Sequence, residues 1–563
     1  MNVQANAVGL KGSGRESLFA ADSRSALNPS ARPPARIITL ASLSRRIADR
    51  LIVETLAQAL NTETGHPVLL IQLECSEGGA SLQEWGRLQS QLNGEFGLRQ
   101  HLQKEGGVGK LRVRLSDDPS EAALVVSLVQ HCLRYFAYVL LHIGADAPVP
   151  VLMECLIQAE RSFLLLQPTV ENLYHRDLLL REVRMNPRSE ERNLRTIVCR
   201  EQGEEHFNEL LKQMGSSVHG FIHGCPTAGT MSAQQGWPGH HFHSDVRRLA
   251  REIGRCRLGL ALSSGGARSL AHIGVIQVLE ENGIEFDVVA GCSMGAYIGA
   301  VWAFGYDGVF MERLAREVEH RWGLLELIDP FILPRQGFLR GEKVKRRLKR
   351  SIGDAHFSEL VRPLRIVATH LTTLDRAVFS TGEVAQAVHA SSAIPGACVP
   401  VKIDDELYLD GGIADPLPVD VLEEMGIERI IAVNTIPTAA YLRRREELER
   451  ELEARRRRRV NKLKRLINHY LNYFAPGNIL DTILRSFNGA QMRVADLACL
   501  RADVVLRPLS FDGRWHDFRR PGKYIALGRR EAEEHLEEIK ALVARKAPVY
   551  EPEFTHDPLG TTA

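Results

Sequence analysis

The chain has 563 residues, a formal net charge of +2, and 44% hydrophobic and 25% charged side chains. Such a length excludes one ordinary domain and predicts two or three, and the balance of apolar and charged residues excludes a chain that is disordered throughout. The nine cysteines, at positions 75, 132, 155, 199, 225, 256, 292, 398 and 499, form no CxxC pair, which predicts reduced, mostly buried thiols in a cytoplasmic protein rather than a disulfide framework.

Residues 1–34 are rich in Ala, Ser, Gly, Arg and Pro without apolar periodicity and read as a disordered tail. No charged stretch followed by an apolar one marks a secretory signal. From 35 to 202 strands and helices alternate. Arg36–Leu40 reads as a strand, Ile47–Leu60 as a helix with one apolar face, and Val68–Leu73 and Lys110–Leu115 as strands. Ser120–Phe136 reads as a helix, then Tyr138–Ile143 and Ser162–Leu166 as strands. The apolar window Ala122–Ile143 is broken by Gln130, His131, Arg134 and His142, so it predicts a helix and a buried strand rather than a membrane span. Alternation of this kind predicts an α/β domain around a mostly parallel sheet.

In its order of strand, loop, helix and second apolar strand, this half resembles the deviant-Walker ATPases that partition chromosomes and position the septum. Those proteins carry a glycine-rich loop ending in Lys and Ser/Thr after the first strand. Here that place holds Ala41-Ser42-Leu43-Ser44-Arg45-Arg46, without glycine or lysine. Backbone amides cannot wrap a phosphate without glycine-permitted geometry. The run Lys104-Glu105-Gly106-Gly107-Val108-Gly109-Lys110 offers a substitute, but Leu111 stands where a Mg²⁺-holding hydroxyl is needed and a strand follows instead of a helix. A degenerate NTPase-like domain is expected, with no nucleotide bound.

Residues 203–254 read as a linker, closed by an Arg-rich helix from Val246 to Ile253. His240, His241 and His243 lie close together, yet no carboxylate or cysteine stands at standard ligand spacing apart from Asp245, so no metal is expected.

The second domain opens with the buried strand Leu258–Leu262, the small-residue loop Ser263-Ser264-Gly265-Gly266-Ala267-Arg268-Ser269, and a helix from Leu270 to Glu281. Such a loop leaves backbone N–H groups available to an oxyanion. About 25 residues on comes Gly291-Cys292-Ser293-Met294-Gly295, between the apolar run Asp287–Ala290 and the helical run Ala296–Ala303. A serine on so sharp a turn is presented at a helix N-terminus, where peptide dipoles favour developing negative charge. The third piece is Asp410-Gly411-Gly412 after the strand-like Glu406–Leu409, an aspartate able to take a serine proton.

Glycine loop, GxSxG and DGG in this order resemble the patatin-like phospholipases, over roughly Arg255 to Leu542, and among them the bacterial relatives of neuropathy target esterase. Leu262–Val275, Ala390–Pro395 and Arg501–Pro508 carry the same likeness. The resemblance implies a second α/β domain of three layers over 255–545, followed by a tail at 546–563. It implies a Ser–Asp dyad in which Ser293 is the nucleophile and Asp410 the base. Gly291 and Gly295 would form the nucleophile elbow, and Gly265, Gly266, Ala267 and Arg268 the oxyanion hole. It implies no cofactor and no metal, and leaves His272, His370 and His389 with structural roles. One departure is plain. The family's entry motif is GxGxxG, and here Ser264 and Ser269 occupy its outer positions, with Gly266 kept in the middle. If position 264 required φ > 0, serine would be strained there by about 1 kcal/mol.

The substrates implied are phospholipid or lysophospholipid acyl esters. Arg268 is a candidate for a lipid phosphate or for a carboxylate partner. Arg443–Arg465, with five consecutive arginines at 455–459, runs into the apolar and aromatic stretch Leu466–Phe474. The segment 443–474 is therefore a candidate for peripheral contact with the inner face of the membrane. Its preceding glutamates equally fit a solvated charged helix. No nucleic-acid partner is expected. The alternative to an active esterase is a catalytically impaired lipid-binding or scaffold protein, suggested by the two altered loops.

Overall fold

The computed structural model describes residues 36–75, 80–81, 102–188, 193–200, 218–225, 240–319, 329, 339–444, 447, 450 and 479–545, apart from a few positions inside those ranges. The tails expected at 1–34 and 546–563 lie outside the described residues.

The first domain runs β1 (Ile37–Ser42), α1 (Asp49–Thr64), β2 (Val68–Glu74), β3 (Ala80–Ser81), β4 (Gln103–Glu105), β5 (Val108–Arg114), α2 (Glu121–Cys132), β6 (Tyr138–Ile143), α3 (Val149–Gln158), β7 (Arg161–Leu166), α4 (Val170–Met185), β8 (Leu194–Arg200) and β9 (Val218–His223). The strands pair in the order β3-β5-β2-β6-β1-β7-β8-β9, all parallel, with β4 antiparallel on β5. Strands covered on both faces read as nearly continuous apolar runs, as β2, β6 and β7 do apart from Gln72, Glu74, His142, Arg161 and Ser162. Alternate side chains feed two cores. Ile38, Leu40, Leu70, Leu140 and Phe163 pack under α1, and Ile37, Leu69, Ile71, Val139 and Leu141 pack under α2 and α3.

Where a phosphate loop would stand, Leu43 N–H donates to Leu165 O (2.9 Å), so the chain stays against β7. The Lys104–Lys110 run is a hairpin, and the Lys110 ammonium is held by Glu54 (2.9 Å) and Glu105 (2.6 Å).

The stretch expected as a linker is structured in two places. β9 closes the first sheet, and a helix, α5 (His240–Ile253), starts before the expected Val246. Phe242, Val246, Leu249, Ala250 and Ile253 recur at helical spacing and join the core beneath α1. The clustered histidines are simply its first turn, and no group of three metal-ligating side chains occurs among the described residues.

The second domain contains β10 (Leu258–Leu262), a 3₁₀ turn (Gly266–Leu270), α6 (Ala271–Glu281), β11 (Val288–Cys292), α7 (Met294–Phe304), α8 (Gly308–Arg316) and α9 (Glu342–Ile352). It continues with β12 (Leu364–His370), β13 (Arg376–Phe379), α10 (Val384–Ser391), β14 (Val401–Ile403), β15 (Glu406–Asp410), α11 (Val419–Glu424) and β16 (Arg429–Val433). The described part closes with α12 (Ile479–Cys499), β17 (Val504–Leu506), α13 (Pro521–Glu534) and α14 (Leu536–Ala544). The strand order is β14-β15-β12-β11-β10-β16-β17, with β13 paired to β12. This sheet also has a core on each face, one through Leu260, Leu262, Val289 and Ile431, the other through Ala261, Val288, Ala290 and Ile430 under α11 and α12. Both domains are therefore three-layered α/β units.

Two topological facts place the site. β10 and β11 are adjacent parallel strands whose C-terminal ends open into turns at the same sheet edge. β15 runs antiparallel to β12, so Asp410 is delivered beside Ala368, one register from the Cys292–Val367 pair.

Candidate active site

β11 ends at Cys292 and α7 begins at Met294, which leaves Ser293 alone to make the turn. It does so at φ 54°, ψ −119°, a conformation that L-residues rarely adopt and that costs about 1–3 kcal/mol. Its N–H donates to Ser391 Oγ (2.8 Å) and its carbonyl accepts from Tyr297 N (3.1 Å), starting α7. A Cβ at Gly295 would lie 2.4 Å from the Leu262 carbonyl oxygen, and one at Gly291 would lie 2.8 Å from the Ala296 backbone. Side chains are thus excluded on both sides of the serine.

Ser293 Oγ donates to Asp410 Oδ2 at 2.6 Å. Asp410 Oδ1 accepts from Gly412 N (2.7 Å), with the Cys292 thiol at 4.0 Å. The Asp410 backbone is fixed from both ends, its N–H donating to Ala393 O (2.9 Å) and its carbonyl accepting from Thr369 Oγ1 (3.0 Å). Burial pushes the Asp410 carboxyl up to about 6, against the lowering effect of its bonds from Ser293 and Gly412.

None of the three histidines bonds to this pair among the described contacts. His272 donates through Nε2 to Ser263 O (2.9 Å), and burial pulls it down to about 4, so it stays neutral and anchors the loop. His370 pairs with Glu406 (2.8 Å), and His389 with the Arg340 carbonyl (3.1 Å).

The loop after β10 is held by groups the sequence did not single out. Thr435, just past β16, ties the loop at several points: its N–H donates to Ser263 Oγ (2.8 Å), and its hydroxyl donates to Ser264 O (3.0 Å) while accepting from Ser269 Oγ (3.1 Å). A Cβ at Gly265 would lie 2.3 Å from that Thr435 hydroxyl. The left-handed residue of the loop is Gly266, at φ 60°, and neither Ser264 nor Ser269 has positive φ. The two serines therefore stand where the backbone tolerates a side chain, and the retained glycine stands where it is needed. The 3₁₀ turn begins at Gly266, so its first N–H groups have no partner within the turn. Arg268 is buried, with Nε donating to the Gly265 carbonyl (3.4 Å).

Ser293 and Gly266 share the wall of a cavity of about 440 Å³, lined chiefly by apolar side chains such as Leu270, Ile273, Met294, Ile298 and Val301. The sequence placed some of these on helices, but nothing local in it distinguishes a cavity wall from a filled core.

Residues 260–423 match the family model described as patatin-like phospholipase, so the second domain carries this class of fold. An uncharacterized NTE family protein of Mycobacterium tuberculosis is 40% identical over 178 residues, 32% of this chain and 49% of that protein. The lysophospholipase NTE1 of Candida glabrata is 31% identical over 201 residues, 35% of this chain and 12% of its own length. Neuropathy target esterase sws of Drosophila melanogaster is 32% identical over 199 residues, 34% of this chain and 14% of its own. The chain thus spans about half the length of the mycobacterial relative and a much smaller part of the other two. Among solved structures, a ParA family ATPase from Chlorobium tepidum overlays 38% of this chain and 98% of its own at 14% identity and a TM-score of 0.30.

Proposed function

We propose that the protein is a serine esterase that hydrolyses phospholipid or lysophospholipid acyl esters through Ser293 and Asp410. The observation that carries this reading is the 2.6 Å contact between Ser293 Oγ and a buried carboxylate at the edge of an apolar cavity. The cavity takes the acyl chain and leaves the ester carbonyl beside Oγ. Asp410 accepts the Ser293 proton as Oγ bonds to the carbonyl carbon, and the carbonyl π electrons move to oxygen. Amides of Gly265, Gly266, Ala267 and Arg268 stabilise that oxyanion. Collapse expels the alcohol, which takes the proton from Asp410 and leaves an acyl-serine. Water then gives a proton to Asp410 and its oxygen to the acyl carbon. The second collapse frees the fatty acid and returns the proton to Ser293.

The reading extends to a cytoplasmic protein that meets the inner face of a membrane through 443–474, of which 445, 446, 448, 449 and 451–474 lie outside the described residues. Among the described residues no helix is long and apolar enough to cross a membrane.

The test is a fluorophosphonate probe with p-nitrophenyl and lysophospholipid ester assays on the full chain. Labelling and turnover that both vanish in Ser293→Ala are expected. An unlabelled wild-type serine with no turnover would instead favour the lipid-binding scaffold.

A further inference from the structure

Ser391 is the last residue of α10, 98 residues beyond Ser293, and is fully buried. Its hydroxyl accepts from Ser293 N (2.8 Å) and donates to Val367 O (2.6 Å). Val367 is the β12 residue in register with Cys292, so the hydroxyl bridges the elbow to the neighbouring strand end. Two residues on, Ala393 O accepts from Asp410 N (2.9 Å). One three-residue span therefore grips the main chains of both nucleophile and base.

We infer that Ser391 is a positioning residue, which keeps Ser293 in its strained conformation, and that the span 391–393 sets the Oγ–Oδ2 separation. The physical case rests on the elbow's φ of 54°. A residue in that region drifts to negative φ unless its surroundings over-determine it. The drift would swing both the N–H and Oγ of Ser293. The buried N–H needs an acceptor, and a hydroxyl that is itself anchored to Val367 O supplies one in a fixed place. Alanine at 391 leaves that N–H without its partner and frees the turn to relax. The cavity wall includes Ser392, Ala393 and Ile394 but not Ser391, so substrate binding is separable from alignment.

This inference rests on the esterase reading, and the experiment keeps the two apart. Wild type, Ser391→Ala and Ser391→Cys are titrated with the fluorophosphonate probe to count reactive sites, then assayed with a p-nitrophenyl ester. Ser391→Ala is expected to label to the same final fraction but more slowly, with kcat per labelled site down about 10- to 100-fold and KM within about threefold of wild type. Ser391→Cys, with a weaker hydrogen-bonding group of similar size, falls between the two. A kcat per labelled site within about twofold of wild type overturns the inference, as does a loss explained wholly by fewer labelled sites. If the alanine variant does not fold, the cysteine variant decides by the same criterion. A wild-type protein that neither labels nor turns over ester overturns the esterase reading and this inference with it.

Discussion

The two domains build the same kind of strand end and put opposite things on it. In the first, the chain after β1 lies against β7. The charges nearby pair with one another, Arg45 with Asp146, Arg50 with Glu74, and Asp49 with His142 (3.2 Å). In the second, the chain after β11 is forced through a strained serine, and the chain after β10 turns through a left-handed glycine into a short helix. A parallel sheet offers such edges for chemistry wherever they occur. The second edge sets a strained serine beside a buried carboxylate, whereas on the first the charged side chains satisfy each other.

The largest test of this contrast is Asp410→Asn. We expect kcat/KM to fall about 10³- to 10⁴-fold, measured on p-nitrophenyl esters, because the amide cannot take the serine proton. Next is a matched glycine pair at strand ends. Gly295→Ala forces a Cβ to 2.4 Å from Leu262 O and is expected to cost about 10²-fold in activity through misplacement of the elbow. Gly144→Ala, just after β6, meets nothing within 4 Å and should leave activity unchanged and stability within about 0.5 kcal/mol by thermal melting. Equal effects would break the comparison.

The pH profile is the third test. With Asp410 pushed up to about 6, kcat/KM should be flat above that value and fall about tenfold per pH unit below it, since the protonated acid cannot act as base. The stability linkage runs the other way. The folded value lies above the unfolded one of about 3.9, so between pH ~4 and ~6 the native state binds more protons and Asp410 makes folding less favourable as pH rises. Asp410→Asn should therefore be more stable than wild type at pH 8, by on the order of 1–3 kcal/mol in denaturant unfolding, while being inactive. The smallest effect belongs to the first domain. Arg45→Ala breaks a pair whose side chains are 79% and 57% exposed and should cost under about 1 kcal/mol without altering turnover.

Much of the candidate site was legible because its signals are local. A strand must turn sharply into a helix at 287–303, and only glycine fits at 291 and 295. The α/β architecture of the first domain followed from its alternating strands and helices, and that of the second from the resemblance its motifs carry. What stayed hidden depends on residues brought together across the fold. Thr435 is unremarkable in sequence, and Ser391 stood out only as part of the Ala390–Pro395 run; their contacts come from sitting 171 and 98 residues from their partners Ser264 and Ser293. The antiparallel direction of β15, which aims Asp410 at Ser293, is likewise a tertiary choice. α5 is a different case. Its apolar positions 242, 246, 249, 250 and 253 do follow helical spacing, but three histidines in its first half and three arginines in its second make it look like solvated linker.

That helix also decides where the protein can be cut. Arg251 reaches Glu63 of the first domain (3.2 Å) and Asp287 (2.8 Å), the fully buried residue just before β11. Asp287 Oδ2 in turn accepts from Leu258 N (2.8 Å) at the start of β10. A fragment beginning at 255 would strand that carboxylate in the interior without its guanidinium, beneath the two strands that lead to the reactive edge. One beginning at 240 would keep the pair but expose Phe242, Val246 and Leu249 to water. Neither cut yields a clean module, so the second domain inherits its floor from its neighbour, and separating the two by truncation would mistake a foundation for a tether.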